Sequence, residues 1–245
     1  MDEEFKCQVA GYSVERRRDL RRDATCLSHL MTHLPKNPYC NACNRAKMFK
    51  ATARSGNTDP IDKPKRWGDK VTADTMFATN DKSAGINAAR YAMVIYDLYS
   101  GWLEFSAQAK KSAAKAKQAL KRFDPTSRIK SFYCDNAPEL IQAARDLGYS
   151  NPTSTPYRST SNAVAERQNR VVLEGTRTVL SQSGCPTYWW PYAGHHFCFS
   201  RNITPHPITN VSPFKKRYPK RKDFDGLRLP FGCAVDFRPP DHVLK

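Results

Sequence analysis

At 245 residues, 40% hydrophobic and 11% aromatic, the chain can bury one good core with a small module beside it, which excludes a disordered protein. Forty basic residues against 23 acidic ones give a net charge of +17, favouring a polyanionic partner, nucleic acid ahead of an anionic membrane surface. No run approaches the roughly 18 apolar residues that span a bilayer, and the acidic start Met1-Asp2-Glu3-Glu4 lacks the apolar region of a secretory signal.

Residues 1–28 form a polar basic segment with Arg16-Arg17-Arg18 and Arg21-Arg22. Residues 29–47 hold a His/Cys group. His29-x3-His33 places two imidazoles on one helical face, and Cys40-x2-Cys43 is a thiolate hook. Together they make a His₂Cys₂ set for one structural Zn²⁺, with Cys26 as a competing ligand. The plainer alternative is a surface His pair and two free thiols. Eight cysteines, of which only Cys40 and Cys43 are paired by spacing, fit a reducing compartment with one metal site better than a disulfide framework. Residues 48–66, with Gly, Asn, Ser, Pro and several Lys/Arg, read as a solvated linker.

From Trp67 the pattern is that of an α/β unit, assigned to residues 67–201. Gly68 to Phe77 reads as an extended run. Tyr91 to Tyr96 is apolar without alternation, as in a strand buried on both faces. Asp97 to Gly101 is a turn, and Trp102 to Ser106 is the returning strand. Ala113, Ala116, Leu120 and Phe123 recur at helical spacing, with a lysine-rich face between them. Ile129 to Asp135 is another strand, and Pro138 to about Leu147 a helix with proline in its first turn. A Ser/Thr/Pro-rich loop from Tyr149 to Ser161 precedes a helix from Ala163 to about Ser183, with Ala165, Val172 and Val179 seven residues apart. Trp189, Trp190, Tyr192, Phe197 and Phe199 mark an aromatic helix, both tryptophans being expected in the core. Residues 202–245 form a basic, proline-rich, irregular extension. This order predicts a mixed sheet, with an antiparallel hairpin and a later strand reached by a helical crossover.

Three carboxylates stand where metal ligands would be useful: Asp74 within the first strand, Asp135 at the end of another, and Glu166 opening the long helix. Two strand carboxylates and one helix carboxylate converging at one end of a sheet form a candidate two-metal site for phosphoryl transfer. Each taken singly is as well explained as a turn, a cap or a solvated first-turn acid. Asp97 also ends an apolar strand and is given a turn role.

Sixty residues lie between Asp74 and Asp135, and thirty between Asp135 and Glu166. With the stretches VTADT, FYCDNAPEL, STPYRSTSNAVAERQNR and SPFKKRYPKRKDFDGLRLPFGC, the chain resembles retroviral and retrotransposon integrases, most closely the copia type, over about residues 29–238. The resemblance implies a ribonuclease-H-like core behind an N-terminal zinc module. It also implies an Asp74, Asp135, Glu166 triad that binds two Mg²⁺ (or Mn²⁺) ions. Its activity would be DNA 3′-end processing and strand transfer, with element ends and target DNA as partners and a homo-oligomer as the working form. Two departures stand out: the gap before Glu166 is shorter than usual for the family, and Ala163 occupies a usual Gly position.

Asn136, Arg167, Asn169 and Arg170 flank the triad and are expected to hold DNA. Lys215, Lys216 and Arg217 open a basic run to Lys222, read as a phosphate-contacting stretch or a nuclear import signal. Nuclear localisation after cytoplasmic transit follows from this reading, with no membrane partner. Two other readings stay open: an inactive integrase-derived DNA-binding or assembly protein, and a nuclease or transposase of the same fold.

Overall fold

A computed structural model describes residues 19–46, 64–78, 83–151 and 160–236. Most of the basic N-terminal segment, nearly all of the linker and most of the Ser/Thr/Pro loop lie outside these residues.

Four strands form one sheet in the order β3-β2-β1-β4. β1 (Val71–Phe77) and β2 (Tyr91–Asp97) pair antiparallel, as do β2 and β3 (Leu103–Gln108). β4 (Phe132–Cys134) lies parallel to β1, reached through helix α4 (Ala113–Phe123). The mixed direction expected from the element order is therefore present. It arises because a tight turn can only return a strand antiparallel, whereas a helix-length crossover permits a parallel one.

The strand side chains divide between two cores. On one face Val71, Ala73, Met93, Ile95 and Phe132 pack with Leu120 and Phe123 of α4 and with Leu140 and Ala144 of α5 (Pro138–Asp146). On the other face Ala92, Val94, Leu103 and Phe105 pack with Val172 and Val179 of α6 (Thr160–Ser183) and Phe197 of α7 (Trp190–Ile203). Helices cover both faces, which is why β2 shows no polar alternation. The close contact of α6 with α7 depends on Gly175, where a Cβ would lie 2.2 Å from the Phe197 ring.

The turn role of Asp97 has a clear basis. Its fully buried carboxylate accepts hydrogen bonds from Gly68 N (2.9 Å), Ser100 N (2.7 Å) and Ser100 Oγ (2.6 Å). Three donors satisfy a buried anion without a metal.

After a single-turn helix α1 (Leu20–Asp23), the short helices α2 (Leu27–Thr32) and α3 (Asn41–Ala46) and the link between them carry the His/Cys group; α2 packs on α6 and α7, and α3 on α6. Beyond α7 the chain has little regular structure apart from α8 (Pro213–Arg217), which Ser212 caps by accepting from Lys215 N at 3.0 Å. The extension is nevertheless anchored by aromatic contacts, Phe214 and Tyr218 against Trp102 and Phe224 against Phe199. No helix among the described residues is long and apolar enough to cross a membrane.

One sequence expectation is corrected here. Trp190 is half-buried against the α6–α7 core, its indole N–H donating to Ser83 O at 3.1 Å. Trp189, expected in the core, is instead 37% exposed beside the exposed Tyr188 and Tyr192. The 3₁₀ turn Thr187–Trp189 that precedes α7 turns this ring outward.

Candidate functional site

Strand register brings the first two carboxylates level. The parallel ladder of β1 and β4 pairs Val71 with Phe132, Thr72 with Tyr133 and Ala73 with Cys134. Asp74 and Asp135 are the next residue on each strand, at the C-terminal end of the ladder. Neighbouring strands are ~4.8 Å apart, so the two acids leave adjacent backbone positions.

Alternation puts Asp74 on the α6 side of β1, opposite to Val71 and Ala73. Asp74 Oδ1 accepts from Thr75 N at 2.7 Å, and Oδ2 accepts from Asn169 Nδ2 at 2.8 Å. Asp135 Oδ1 accepts from Ala137 N at 3.3 Å, holding the turn that leads into α5. Glu166 is exposed on α6, three residues before Asn169. At 3.6 residues per turn this spacing places Glu166 and Asn169 on one helix face.

The electrostatics reflect this convergence. Asp74 has its pKa raised by burial first, then by the negative charges of Asp135 and Glu166, with the Thr75 N–H and Lys111 acting in the opposite direction. Lys111 ion-pairs with Glu139 at 2.6 Å and feels Asp135 and Asp74 as well, and its pKa is raised accordingly, the Glu139 hydrogen bond first. Burial and then the Asp135 charge push the Cys134 thiol up to about 11. Among the described residues the three carboxylates are nonetheless not gathered as tightly as the His/Cys group, the one set close enough for a single ion. The donor set, carboxylate oxygens alone and mutually repulsive, suits hard divalent cations.

Two details differ from the sequence expectation. Glu166 does not open its helix, which starts at Thr160; Ala163 is already helical and exposed. Alanine favours helix over glycine by about 1 kcal/mol, consistent with a helix that begins well before the acid. Asn169, expected to contact DNA, is engaged with Asp74.

The remaining residues expected at the DNA separate by exposure. Asn136, Arg167 and Arg170 are exposed. Lys215 and Lys216 are partly exposed, and Lys215 Nζ donates to Arg221 O at 2.6 Å. Arg217 turns inward. Its guanidinium lies over Trp102 (4.4 Å), Trp67 (4.6 Å) and Phe123 (5.2 Å), and donates to Phe123 O at 2.5 Å. Arg217 is therefore held as a structural cation in an aromatic box, with the same partial exposure as Lys215 and Lys216, because the rings favour a weakly hydrated cation.

The four His/Cys residues meet as a buried cluster, all ligand atoms within 4.8 Å of one another. Cys40 Sγ is 3.4 Å from His33 Nδ1, and Cys43 Sγ is 3.6 Å from His29 Nε2 and 3.7 Å from His33 Nδ1. A tetrahedral ion ~2.3 Å from sulfur and ~2.0–2.1 Å from nitrogen sets N···S edges of about 3.6 Å. These three N···S separations are close to that length. Cys26 is outside it: as the residue before α2 it donates to Asp23 O at 3.1 Å. None of the seven described cysteines is in a disulfide.

Sequence reasoning missed three participants. Lys111, just before α4, and Glu139, in the first turn of α5, carry no local signal of their pairing, and only the fold brings them together near Asp135. Gln182 Oε1 lies 3.0 Å from His33 Nε2, across 149 positions of sequence, and nothing local signals it.

This is the ribonuclease-H-like fold of retroviral integrase cores, with a His₂Cys₂ cluster near the N-terminus. The chain overlays on a simian T-cell lymphotropic virus intasome, solved in complex with PP2A regulatory subunit B56 gamma, with a TM-score of 0.54 and 16% identity. That overlay covers 88% of this chain and 70% of the other. The catalytic core domain of BIV integrase gives a TM-score of 0.46 at 18% identity, over 60% of this chain and 92% of that one.

The chain is similar in sequence to retrovirus-related Pol polyproteins of plant transposons. The chain is 32% identical over 155 residues to the retrovirus-related Pol polyprotein from transposon RE1 of Arabidopsis thaliana, covering 59% of this chain. It is 34% identical over 113 residues to that from transposon RE2 of the same plant, covering 44% of this chain. It spans only 10% and 8% of the length of these relatives. No known family profile matches the chain.

Proposed function

We propose that the chain is the integrase of a copia-type retrotransposon, a DNA strand-transferase that uses Asp74, Asp135 and Glu166. The observation carrying this reading is the level placement of Asp74 and Asp135 across a parallel strand pair, with the Glu166 helix bonded to Asp74 through Asn169. Divalent cations, Mg²⁺ or Mn²⁺, held by the three carboxylates would neutralise the scissile phosphate and activate the attacking oxygen.

The chain's own groups prepare that site. Asn169 and the Thr75 N–H fix both oxygens of Asp74, so its orientation is set before substrate arrives. The Ala137 N–H does the same for Asp135. Lys111, paired with Glu139, supplies a positive charge at the rim that offsets part of the carboxylate repulsion and faces an incoming phosphate. In end processing, water attacks phosphorus and the bond to the 3′ oxygen of the element strand breaks, leaving a 3′-hydroxyl. In strand transfer that hydroxyl attacks a target phosphodiester, and a target 3′-hydroxyl leaves with the proton. Arg167, Arg170 and Asn136 are exposed where they can hold the DNA backbone, and Lys215 and Lys216 extend the basic surface.

The His/Cys cage would hold one structural Zn²⁺. The chain would act on DNA as a homo-oligomer in the nucleus, the basic run from Lys215 supporting import.

A strand-transfer assay on linear DNA tests the reading. The protein should join a DNA end to a target with Mg²⁺ or Mn²⁺, and Asp135→Asn should abolish joining while DNA binding persists. Equal inactivity of both proteins, with binding retained, would instead favour an assembly or DNA-binding role. Endonuclease activity without joining would favour a nuclease of the same fold.

A further inference from the structure

We infer that Gln182 is a positioning residue for the zinc ligand His33, so that loading the amino-terminal cage and seating it on the catalytic-core helix are one linked equilibrium. This rests on the zinc reading above and goes beyond it.

The tautomer argument comes first. His33 presents Nδ1 to both thiols, 3.4 Å from Cys40 Sγ and 3.7 Å from Cys43 Sγ. A nitrogen that ligates an ion must offer its lone pair, so the ring proton sits on Nε2. That N–H points at Gln182 Oε1, 3.0 Å away. His33 is fully buried, and a buried donor left without an acceptor costs about 1–3 kcal/mol. With its Oε1 facing the ring, the glutamine accepts from the tautomer that ligation needs and fixes the ring plane, as carbonyl and carboxylate acceptors do behind metal-bound histidines.

Position in the fold gives this bond its reach. Gln182 is on the last turn of α6, the helix that carries Glu166. Sixteen residues along a helix span about 24 Å, so the two ends of one rigid rod meet the cage and the carboxylates. Leu34, next to His33, packs against the apolar cluster that includes Val179 and Leu180 of α6 and Phe197 of α7. Besides the packing of α2 and α3 on α6 and α7, the cage thus meets the core through Leu34 and through one hydrogen bond whose donor is set by the ion. If the ion strengthens the seat, the seat must strengthen ion binding by the same factor.

The full chain would be compared as wild type, Gln182→Ala, Gln182→Glu and Cys43→Ser. Zinc affinity is read by chelator competition, and hydrogen exchange of the last two turns of α6 is followed before and after zinc addition. Gln182→Ala should hold zinc about tenfold less tightly, and zinc should no longer slow exchange at the end of α6 as it does in the wild type. Gln182→Glu keeps an acceptor and should hold zinc at least as tightly as the wild type. A purely space-filling role would not produce that rescue. Wild-type zinc affinity and α6 protection in Gln182→Ala would overturn the inference, as would zinc loss in Gln182→Glu. Zinc uptake by the wild type no better than by Cys43→Ser would overturn the zinc reading itself.

Discussion

Asn169 donates its side-chain amide to Asp74 Oδ2 at 2.8 Å, joining helix α6 to the middle of strand β1 one helical turn from Glu166. A strand acid and a helix acid are thereby held in one geometry by a neutral residue of the Glu166 stretch. Asn169→Ala should lower strand transfer about tenfold, equivalent to about 1.4 kcal/mol, with DNA affinity nearly unchanged. Single-turnover joining and a binding isotherm on the same DNA check this, and unchanged joining would remove Asn169 from the site.

Asp74 makes the folded protein pay for its function. Its folded pKa lies above the ordinary carboxylate value, chiefly through burial and then through Asp135 and Glu166. Such a group binds its proton more tightly in the folded than in the unfolded state. The cost is absent below the unfolded pKa, grows as pH rises from the unfolded to the folded pKa and is complete above the folded pKa. Asp74→Asn should therefore melt about 2 °C higher than the wild type at pH 7, with the difference vanishing in acid. Mg²⁺ should raise the wild-type melting temperature and leave Asp74→Asn largely unmoved. Melting curves against pH, with and without Mg²⁺, provide the readout.

The aromatic box around Arg217 predicts a stability effect where a DNA effect was expected. A desolvated cation–π contact contributes about 2 kcal/mol, so Arg217→Ala should lower the melting temperature by about 4–8 °C. Lysine should recover little, since it lacks the flat guanidinium that stacks between rings. The salt dependence of DNA binding by Arg217→Ala should match the wild type, and a shallower slope would return Arg217 to the DNA surface.

Arg167 and Arg170 should behave in the opposite way. Both are exposed on the Glu166 helix. Each phosphate contact contributes about 0.9 to the slope of log affinity against log salt. The double substitution to Ala should reduce that slope by about 2, with melting temperature unchanged. An unaltered slope would place the DNA elsewhere.

The sequence by itself determined the chemistry-bearing residues, their spacing and the order of the elements. Strand and helix periodicity are local, so β1 to β4 and helices α4 to α7 were legible within a few residues. The His₂Cys₂ set was legible because its members lie within fifteen residues of one another. Packing decided the rest. The register that sets Asp74 level with Asp135 depends on how two strands sixty residues apart slide against each other. Cys26 could not be excluded as a ligand until the turn into α2 directed its thiol away from the cage. Arg217 reads as surface charge in any window of sequence, and only the approach of Trp67, Trp102 and Phe123 makes its site apolar. The partnership of His33 with Gln182 has no local signal at all, because it exists only where a short amino-terminal module rests on the far end of the helix that carries Glu166. Contacts between remote segments are selected by shape and burial of the whole, and no local pattern encodes them.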